Sequence, residues 1–315
     1  MDRHTTNHIL MIQPVAFTFN AETAKNNYYQ QQPNTNDEDL IQKIALAEFK
    51  GFVTKLRSNG ISVTVIPDTV SPAKPDSVFP NNWVSFHEDG HMVIYPMFAE
   101  NRRLEKRPEI IDKLVTENNF YITDATDLSY FEEENLFLEG TGSLILDRPN
   151  KVLYASISDR MHPDALKKFC EVMGFEAIVF TAYQSVSDLR LPIYHTNVMM
   201  CLGQTFSVIC LDCIDDEKEK QLVIDSLSKY DKEIIPITED QVSQFAGNML
   251  EVTNDKNERI LVMSSSAFNS LNDEQIQKLN QHCRIIHCDL STIEKLGGGS
   301  ARCMMAEVFL PKKSQ

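Results

Sequence analysis

Apolar residues recur along the chain at two alternating spacings, one typical of helices and one typical of strands. In five segments the apolar side chains return every three to four positions, which places them on one face of a helix. These segments are Asp37–Ser58, Leu104–Asn118, Pro163–Met173, Glu217–Tyr230 and Asp273–His282. Each is followed at once by a short run rich in β-branched or aromatic residues, which predicts a strand. The runs are Ile61–Ile66, Phe120–Thr123, Ala177–Phe180, Glu233–Ile237 and Arg284–His287.

The helix–strand pairs repeat, and a short polar motif follows each of them. Helix centres lie roughly 55 to 65 residues apart, and the motif comes about 13 to 17 residues beyond the middle of each strand run. The motifs are Phe79–Trp83, Leu138–Gly142, Tyr194–Asn197, Gly247–Glu251 and Gly297–Cys303. In a ring of equivalent units such positions converge on one axis, so the repeat predicts one shared site. The alternative is an ordinary α/β sheet whose signals imitate a period.

The chain has no stretch rich in Pro, Gly and Ser that would divide it, so residues 1–315 are predicted to form one α/β domain. Residues 181–190 are polar and predict a loop. A homo-oligomer is left open as an alternative to a monomer.

Composition excludes several classes of partner. The net charge of −15 would repel phosphate backbones, so a nucleic-acid partner is not expected. The longest apolar runs, such as Ile9–Ile12, have the length of a strand and fall far short of a membrane span. The N-terminus lacks the apolar stretch of a signal peptide, and seven cysteines, an odd number, are typical of reduced thiols. We therefore predict a cytoplasmic protein without nucleic-acid or membrane partners.

Three of the five motifs carry residue types that are used in covalent catalysis. Cys303 follows three glycines and a serine, a backbone that can approach a ligand closely, and its thiolate would be a nucleophile. His195 can exchange protons near neutral pH, and Glu139 could orient it. Taken singly, each has a more ordinary explanation: a buried thiol, a hydrogen-bonded histidine, and a carboxylate that binds backbone amides. The other two motifs carry Asn82 and Asn248, and this concentration at equivalent points favours one site.

The spacing of cysteines and glycines gives little support to a metal or nucleotide site. The chain has one CxxC, Cys210-x-x-Cys213, and no second CxxC or histidine pair follows it at zinc-finger spacing. Gly297-Gly298-Gly299 lacks the GK[ST] ending of a phosphate-binding loop. We therefore predict no metal and no organic cofactor.

Three motifs resemble the signature elements of the amidinotransferase superfamily, which includes arginine deiminases, dimethylarginine hydrolases and succinylarginine dihydrolases. They are Leu138-Glu139-Gly140, the histidine of His195-Thr196-Asn197, and the late Gly-Gly-Gly-x-x-x-Cys303. They occur in the family's order and span nearly the whole chain, and the citrulline-hydrolase branch is the nearest match. The resemblance implies a fivefold pseudosymmetric α/β propeller of ββαβ-type units, a pentein-like fold.

The resemblance also implies a role for each motif residue. Cys303 would be the nucleophile, His195 the general acid and base, and Glu139 the group that orients His195. Asn82 and Asn197 stand where deiminases have aspartates that bind the cationic guanidinium.

Because those two positions carry neutral amides, a neutral ureido group is the expected substrate. Citrulline would then be cleaved to ornithine, ammonia and carbon dioxide through a carbamoyl adduct on the cysteine. Arg160 is expected to bind the substrate carboxylate, since Arg can do so with two hydrogen bonds. Asn248 is expected to add a substrate contact, while Arg102 and Arg103 are interpreted as a solvated helix start.

Other functions are compatible with the same motifs. Within the enzyme class, the alternatives are an arginine or methylarginine deiminase or dihydrolase, and an amidinotransferase. From other classes come a non-catalytic binding protein on the same fold and a thiol-rich metal-binding protein. The partner expected in every enzymatic case is a small amino-acid substrate.

Overall fold

Strands and helices alternate along the described chain, which in this computed structural model comprises residues 3–35 and 37–313. The strands are β1 (His8–Gln13), β2 (Ser62–Pro67), β3 (Val84–Phe86), β4 (His91–Ile94), β5 (Asp124–Asp127), β6 (Ile145–Asp147), β7 (Val152–Ser156), β8 (Glu176–Phe180), β9 (Tyr183–Val186), β10 (Leu189–Pro192), β11 (Met200–Leu202), β12 (Phe206–Ile209), β13 (Glu233–Pro236), β14 (Leu250–Thr253), β15 (Arg259–Ser264), β16 (Arg284–Cys288) and β17 (Ala306–Glu307). The helices are α1 (Glu38–Ser58), α2 (Glu100–Arg103), α3 (Pro108–Glu117), α4 (Gly140–Ser143), α5 (Pro163–Met173), α6 (Thr196–Met199), α7 (Glu217–Lys229), α8 (Glu239–Ser243), α9 (Ser265–Ser270), α10 (Asp273–His282) and α11 (Ser291–Gly297).

Five sheets of three strands share one topology within the described residues. Their strand orders are β3-β4-β5, β6-β7-β8, β11-β12-β13, β14-β15-β16 and β17-β1-β2. In each sheet the central strand pairs antiparallel with one neighbour and parallel with the other. A helix connects the two parallel strands, as a parallel connection requires. The predicted ββαβ unit is therefore confirmed, and the fifth sheet is completed by strands from the two distant parts of the chain.

The five units are arranged in a ring. The first strands of different units contact one another at β17 and β3, β6 and β11, and β11 and β14. Helices fill the seams outside: α7 contacts β13 of its own unit and β8 of the preceding one, and α1 likewise contacts β2 and β16. The predicted α/β propeller is confirmed, and the alternative of an ordinary single sheet is wrong. The organisation of residues 1–315 as one domain stays a prediction.

The five predicted helices are present, because amphipathic periodicity and capping residues agree at their ends. The Asp37 side chain accepts a hydrogen bond from the Leu40 amide and so caps α1, whose apolar face is buried. One predicted start is wrong: the segment from Leu104 is not continuously helical, and α3 begins at Pro108. Proline favours the first helical position because its missing amide hydrogen has no helical partner there.

One predicted strand is also displaced. The run Phe120–Thr123 is apolar because Phe120 packs into the core beside Leu114, and it forms only an isolated bridge. The strand itself is β5, four residues later, where Asp124–Asp127 pairs with β4 on the polar edge of its sheet. The apolar residues of this run therefore indicate burial in the core and do not indicate a paired strand.

Residues 181–190, predicted as a loop, belong mostly to a β-hairpin. β9 and β10 pair antiparallel, with Val186 opposite Leu189 and a turn at Ser187, which adopts φ 53°. Among the described residues, no helix has both the length and the apolar character needed to cross a membrane.

Candidate active site

The polar motifs lie in turns that directly precede the first strands of their units. Glu139 and His195 are the residues immediately before the short helices α4 and α6, and Cys303 lies in the turn before β17. Asn82 ends a short 3₁₀ turn before β3, and Asn248 precedes β14. Because these turns are equivalent in the ring, the structure brings all five residues together.

Cys303 and His195 line a narrow cavity of about 10 Å³, which has room for about one water molecule. The cavity is walled by Asn27, Asp76, Phe79, Asn82, Arg102, Arg160, Tyr194 and Gly297–Gly299. The side chains of Cys303 and His195 are both almost fully buried. A cavity of this volume is too small for an amino-acid substrate, so its walls must move when one binds.

Glu139 fixes the orientation and tautomer of His195. The Oε2 atom of Glu139 lies 2.7 Å from the Nε2 atom of His195, so the ionised carboxylate accepts a hydrogen bond from that nitrogen. The Nδ1 atom is then left to exchange a proton. Burial lowers the pKa of His195 to about 4, against the opposing influence of Glu139, so the imidazole is neutral at pH 7.

Glu139 is itself held as an anion. Burial alone would raise the pKa of Glu139, but Arg160, the hydrogen bond from His195 and Arg102 together hold it well below its usual range. The Nη1 atom of Arg160 lies 3.4 Å away, and that of Arg102 lies 3.8 Å away. A buried carboxylate without such partners would be strongly disfavoured.

Two asparagine amides point at the sulfur of Cys303. The Nδ2 atom of Asn248 lies 3.2 Å from the Sγ atom, and the Nδ2 atom of Asn197 lies 3.4 Å from it. Donors at these distances stabilise a thiolate. Asn248 also donates to the Asn197 carbonyl, and its own oxygen accepts from the Arg302 amide. With its amide thus engaged, Asn248 is placed to position Cys303, and its predicted substrate contact stays a prediction.

Asn82 and Asn197 each present one unpaired amide atom. The Oδ1 atom of Asn82 accepts from Arg102 at 2.8 Å, while its buried Nδ2 atom has no partner among the described residues. For Asn197 the situation is reversed, since Oδ1 is the buried atom without a described partner. A Cβ atom at Gly142 would lie 2.3 Å from Asn82 Nδ2 and 2.9 Å from His195 Nδ1, which explains why glycine occupies this position.

Arg160 lies in the cavity wall, where a residue that binds the substrate carboxylate would have to lie. Its guanidinium binds the Asn26 side chain and the Thr23 carbonyl besides Glu139, and it stacks 4.8 Å from the ring centre of Tyr194. These contacts hold the side chain rigidly at the site. Whether it binds substrate stays a prediction.

Two residues of the site were not predicted correctly. Arg102, interpreted as a solvated helix start, is buried and binds Glu105 with two hydrogen bonds besides its contact to Asn82. Asp76 was missed altogether. Its Oδ2 atom accepts from Asn20 and Thr23, and its buried Oδ1 atom has no partner among the described residues.

No group of three or more His, Cys, Asp or Glu side chains with the geometry to hold a metal ion occurs in residues 3–35 and 37–313. Cys210 and Cys213 are both free thiols buried in a core cluster.

Comparison with solved structures shows the same fold. ArgZ, an arginine dihydrolase from the ornithine-ammonia cycle in cyanobacteria, superposes with a TM-score of 0.72 and 18% identity over 97% of this chain. This chain spans 41% of that ArgZ chain, but 99% of an ArgZ N-terminal domain that is covalently bound to a reaction intermediate (TM-score 0.68, 18% identity, 96% of this chain). A dimethylarginine dimethylaminohydrolase adduct with S-methyl-L-thiocitrulline gives a TM-score of 0.63 and 17% identity, over 96% of this chain and 99% of the other.

No curated protein matches the sequence. The family model for N,N dimethylarginine dimethylhydrolase, eukaryotic, matches residues 13–310, which is nearly the whole chain. The predicted resemblance to the amidinotransferase superfamily is thereby confirmed. With its fivefold propeller and its cysteine, histidine and glutamate motifs in order, the chain belongs to the eukaryotic-type N,N-dimethylarginine dimethylhydrolase family.

Proposed function

We propose that this chain is a cysteine hydrolase that attacks the guanidino carbon of arginine or a methylated arginine. The observation that carries the proposal is that Cys303 and His195 line one cavity and that Glu139 binds His195 directly behind it. Family membership supports the reaction type. The name of the structurally similar arginine dihydrolase supports an arginine-type substrate more directly than the citrulline predicted from the sequence.

The chemistry begins at the sulfur of Cys303. Neutral His195, with Nε2–H bound to Glu139, accepts the thiol proton at Nδ1, and the amides of Asn197 and Asn248 stabilise the thiolate. The thiolate adds to the guanidino carbon, and His195 returns the proton to the departing nitrogen as ammonia or an amine. Water, deprotonated by the neutral imidazole, then releases the product from the sulfur.

The amino-acid end of the substrate fits the opposite charges in the wall. The unpaired oxygen of Asp76 can accept hydrogen bonds from an α-ammonium group. Arg160 and Arg102 offer guanidinium groups to the α-carboxylate. A free amino acid is therefore favoured over an amine such as agmatine, which has no carboxylate to bind these guanidinium groups.

Citrulline is a second candidate, and the amides of Asn82 and Asn197 favour it. Arg102 holds Asn82 so that its NH₂ group is the one left unpaired. A donor at this point suits a ureido oxygen, on which negative charge develops during thiolate attack. The unpaired Oδ1 atom of Asn197 suits the N–H groups of either a urea or a guanidinium.

Product analysis tests the proposal and separates the candidates. We expect the purified protein to consume arginine or dimethylarginine, with citrulline as the product of one hydrolysis or ornithine as the product of two. The Cys303→Ser protein is the control and should be inactive, because a serine hydroxyl does not ionise readily at neutral pH. Consumption of citrulline alone would establish the second candidate. Equal turnover by wild type and Cys303→Ser would refute the mechanism.

A further inference from the structure

A second cavity, of about 490 Å³, lies beside the active site, and its lining residue Tyr29 packs against Tyr194 of the active-site wall. It lies between the β9–β10 hairpin, α8, α11 and residues 28–31, and none of its lining residues also lines the active-site cavity. Its volume is within the range of small-molecule sites, whereas the active-site cavity holds only about 10 Å³. It therefore has room for a ligand of its own.

Unpaired polar groups line this second cavity. Gln184 is 7% exposed, and its Nε2 atom has no hydrogen-bond partner among the described residues. Leaving an amide donor buried and unpaired costs free energy, which a ligand acceptor would recover. Lys295 and Asp240 also line the cavity, and neither charged group forms an ion pair within the described chain. One cavity thus offers an amide hydrogen-bond donor, a cationic group and an anionic group.

The rest of the wall adds aromatic rings and negative charge. Tyr28, Tyr29 and Phe245 contribute rings that can stack on a cationic group. Glu239 joins Asp240 on α8, although Glu239 is paired with Arg190. Glu294 also lines the cavity, so its acidic residues outnumber Lys295 even with Glu239 paired, which favours a ligand with a cationic group.

We propose that this cavity is a second binding site for an α-amino acid with a cationic side chain, of the class of lysine, ornithine or arginine. The α-carboxylate binds Gln184 Nε2 and the Lys295 ammonium, and the cationic side chain binds Asp240 against the tyrosine rings. Each unpaired group in the wall thereby gains the partner that it lacks.

Aromatic contacts connect this site to the catalytic residues. The ring of Tyr29 packs 5.6 Å from that of Phe245 and 6.1 Å from that of Tyr194, which in turn lies 4.6 Å from the ring of His195. The adjacent Gln31 amide donates to the Lys295 carbonyl at 2.7 Å. A ligand that holds these residues in place keeps the active-site cavity narrow, so it slows the exchange of substrate.

Calorimetric titration of the wild-type protein with lysine tests the site, since lysine has no guanidino or ureido carbon to be hydrolysed. Val186→Trp places an indole ring from the hairpin in the second cavity and should abolish lysine binding there. Leu189→Trp is the matched control, because Leu189 pairs with Val186 across the hairpin but is 62% exposed and does not line the cavity. It should bind lysine as the wild type does.

The ligand class is tested with two analogues and two further variants. Norleucine, without the cation, and cadaverine, without the carboxylate, should each bind roughly tenfold or more weakly, because each loses a charge-assisted contact. Gln184→Leu should weaken lysine binding by a similar factor, and Asp240→Asn by about two- to fivefold, as for an exposed ion pair. The site would be refuted if Val186→Trp bound lysine as the wild-type protein does, or if the wild-type protein bound no lysine. The amino-acid class would be refuted if cadaverine bound as tightly as lysine.

Inhibition of turnover by lysine rests in addition on the proposed function. A component of inhibition that persists at saturating arginine should be present in wild type and Leu189→Trp and absent in Val186→Trp. Because the titrations need no turnover, failure of the proposed reaction and failure of the second site give different results.

Discussion

Replacing Glu139 with Gln tests how the site holds His195. The carboxylate is fully buried, and its Oε2 atom lies 2.7 Å from His195 Nε2 and 3.4 Å from Arg160 Nη1. Gln keeps the shape of Glu but removes the charge that opposes the desolvation of a protonated imidazole. It can also turn an NH₂ group toward His195, which would favour the wrong tautomer.

The expected loss is in the rate of the chemical steps. A positioned proton-transfer group contributes about 10²- to 10⁴-fold, which is about 3 to 5 kcal/mol of activation free energy. We therefore expect kcat for arginine to fall by that factor while KM changes by less than about threefold, since the lost interaction acts in the transition state. Steady-state kinetics with detection of released ammonia would measure both constants.

Glu105→Gln is the matched control. Glu105 is another buried carboxylate, and it binds Arg102 through both oxygens, at 2.9 and 3.0 Å. Both variants remove negative charge from the same buried arginine and should lower the free energy of unfolding by up to about 3 kcal/mol. Glu139→Gln should lower kcat at least tenfold more than Glu105→Gln. Equal losses of kcat in the two variants, or a change of KM alone in Glu139→Gln, would refute the assigned role.

Other perturbations test the remaining parts of the site. The pKa of His195 is near 6.5 in the unfolded chain and about 4 in the folded protein. The free energy of unfolding should therefore be greatest above pH 6.5 and fall by an amount on the order of 3 kcal/mol as the pH falls to 4, because the unfolded chain binds the proton first. Urea unfolding at pH 7 and pH 5 should show a smaller decrease of this free energy in His195→Gln than in the wild type. Asp76→Asn should raise KM for arginine by roughly tenfold or more with little change of kcat, and an unchanged KM would exclude Asp76 from substrate binding. Asn82→Asp should lower the ratio of citrulline to arginine turnover in parallel assays, because a carboxylate there repels the developing oxyanion. Asn197→Asp should lower the same ratio, because a carboxylate accepts hydrogen bonds from a cationic guanidinium more strongly than from a neutral urea. A raised ratio in either variant would contradict the assignment.

The ring and its central residues could be predicted because the signals are local and repeated. Helix α5 was predicted at its observed bounds, since its amphipathic pattern, Pro163 at the start and Gly174 at the end all lie within one short segment. The placement of Glu139, His195 and Cys303 followed from their equivalent positions in three units. Because the three positions are equivalent in the repeat, they could be predicted to lie close together, which no single motif indicates by itself.

The residues that were missed depend on partners distant in sequence. Arg102 lies in a run of charged residues that is usually solvated, and its burial is set by Asn82 and Glu139, 20 and 37 positions away. Asp76 lies in a segment without periodicity, so nothing in its neighbours marks it as buried. The second cavity joins a hairpin to two distant helices, and no sequence pattern spans such a set.

The pairing of β1 with β17 has a consequence for how activity is acquired during folding. Four of the five sheets join strands that are close in sequence, whereas Ile9 and Glu307 pair across about 300 residues. Closing so long a loop carries the largest entropic cost in the molecule and depends on contacts that form late. Since Cys303 lies just before β17, the nucleophile meets His195 only when this closure is complete. Recovery of catalytic activity on refolding should therefore lag behind the recovery of helical circular dichroism, because activity reports closure of the ring and helicity reports the separate units.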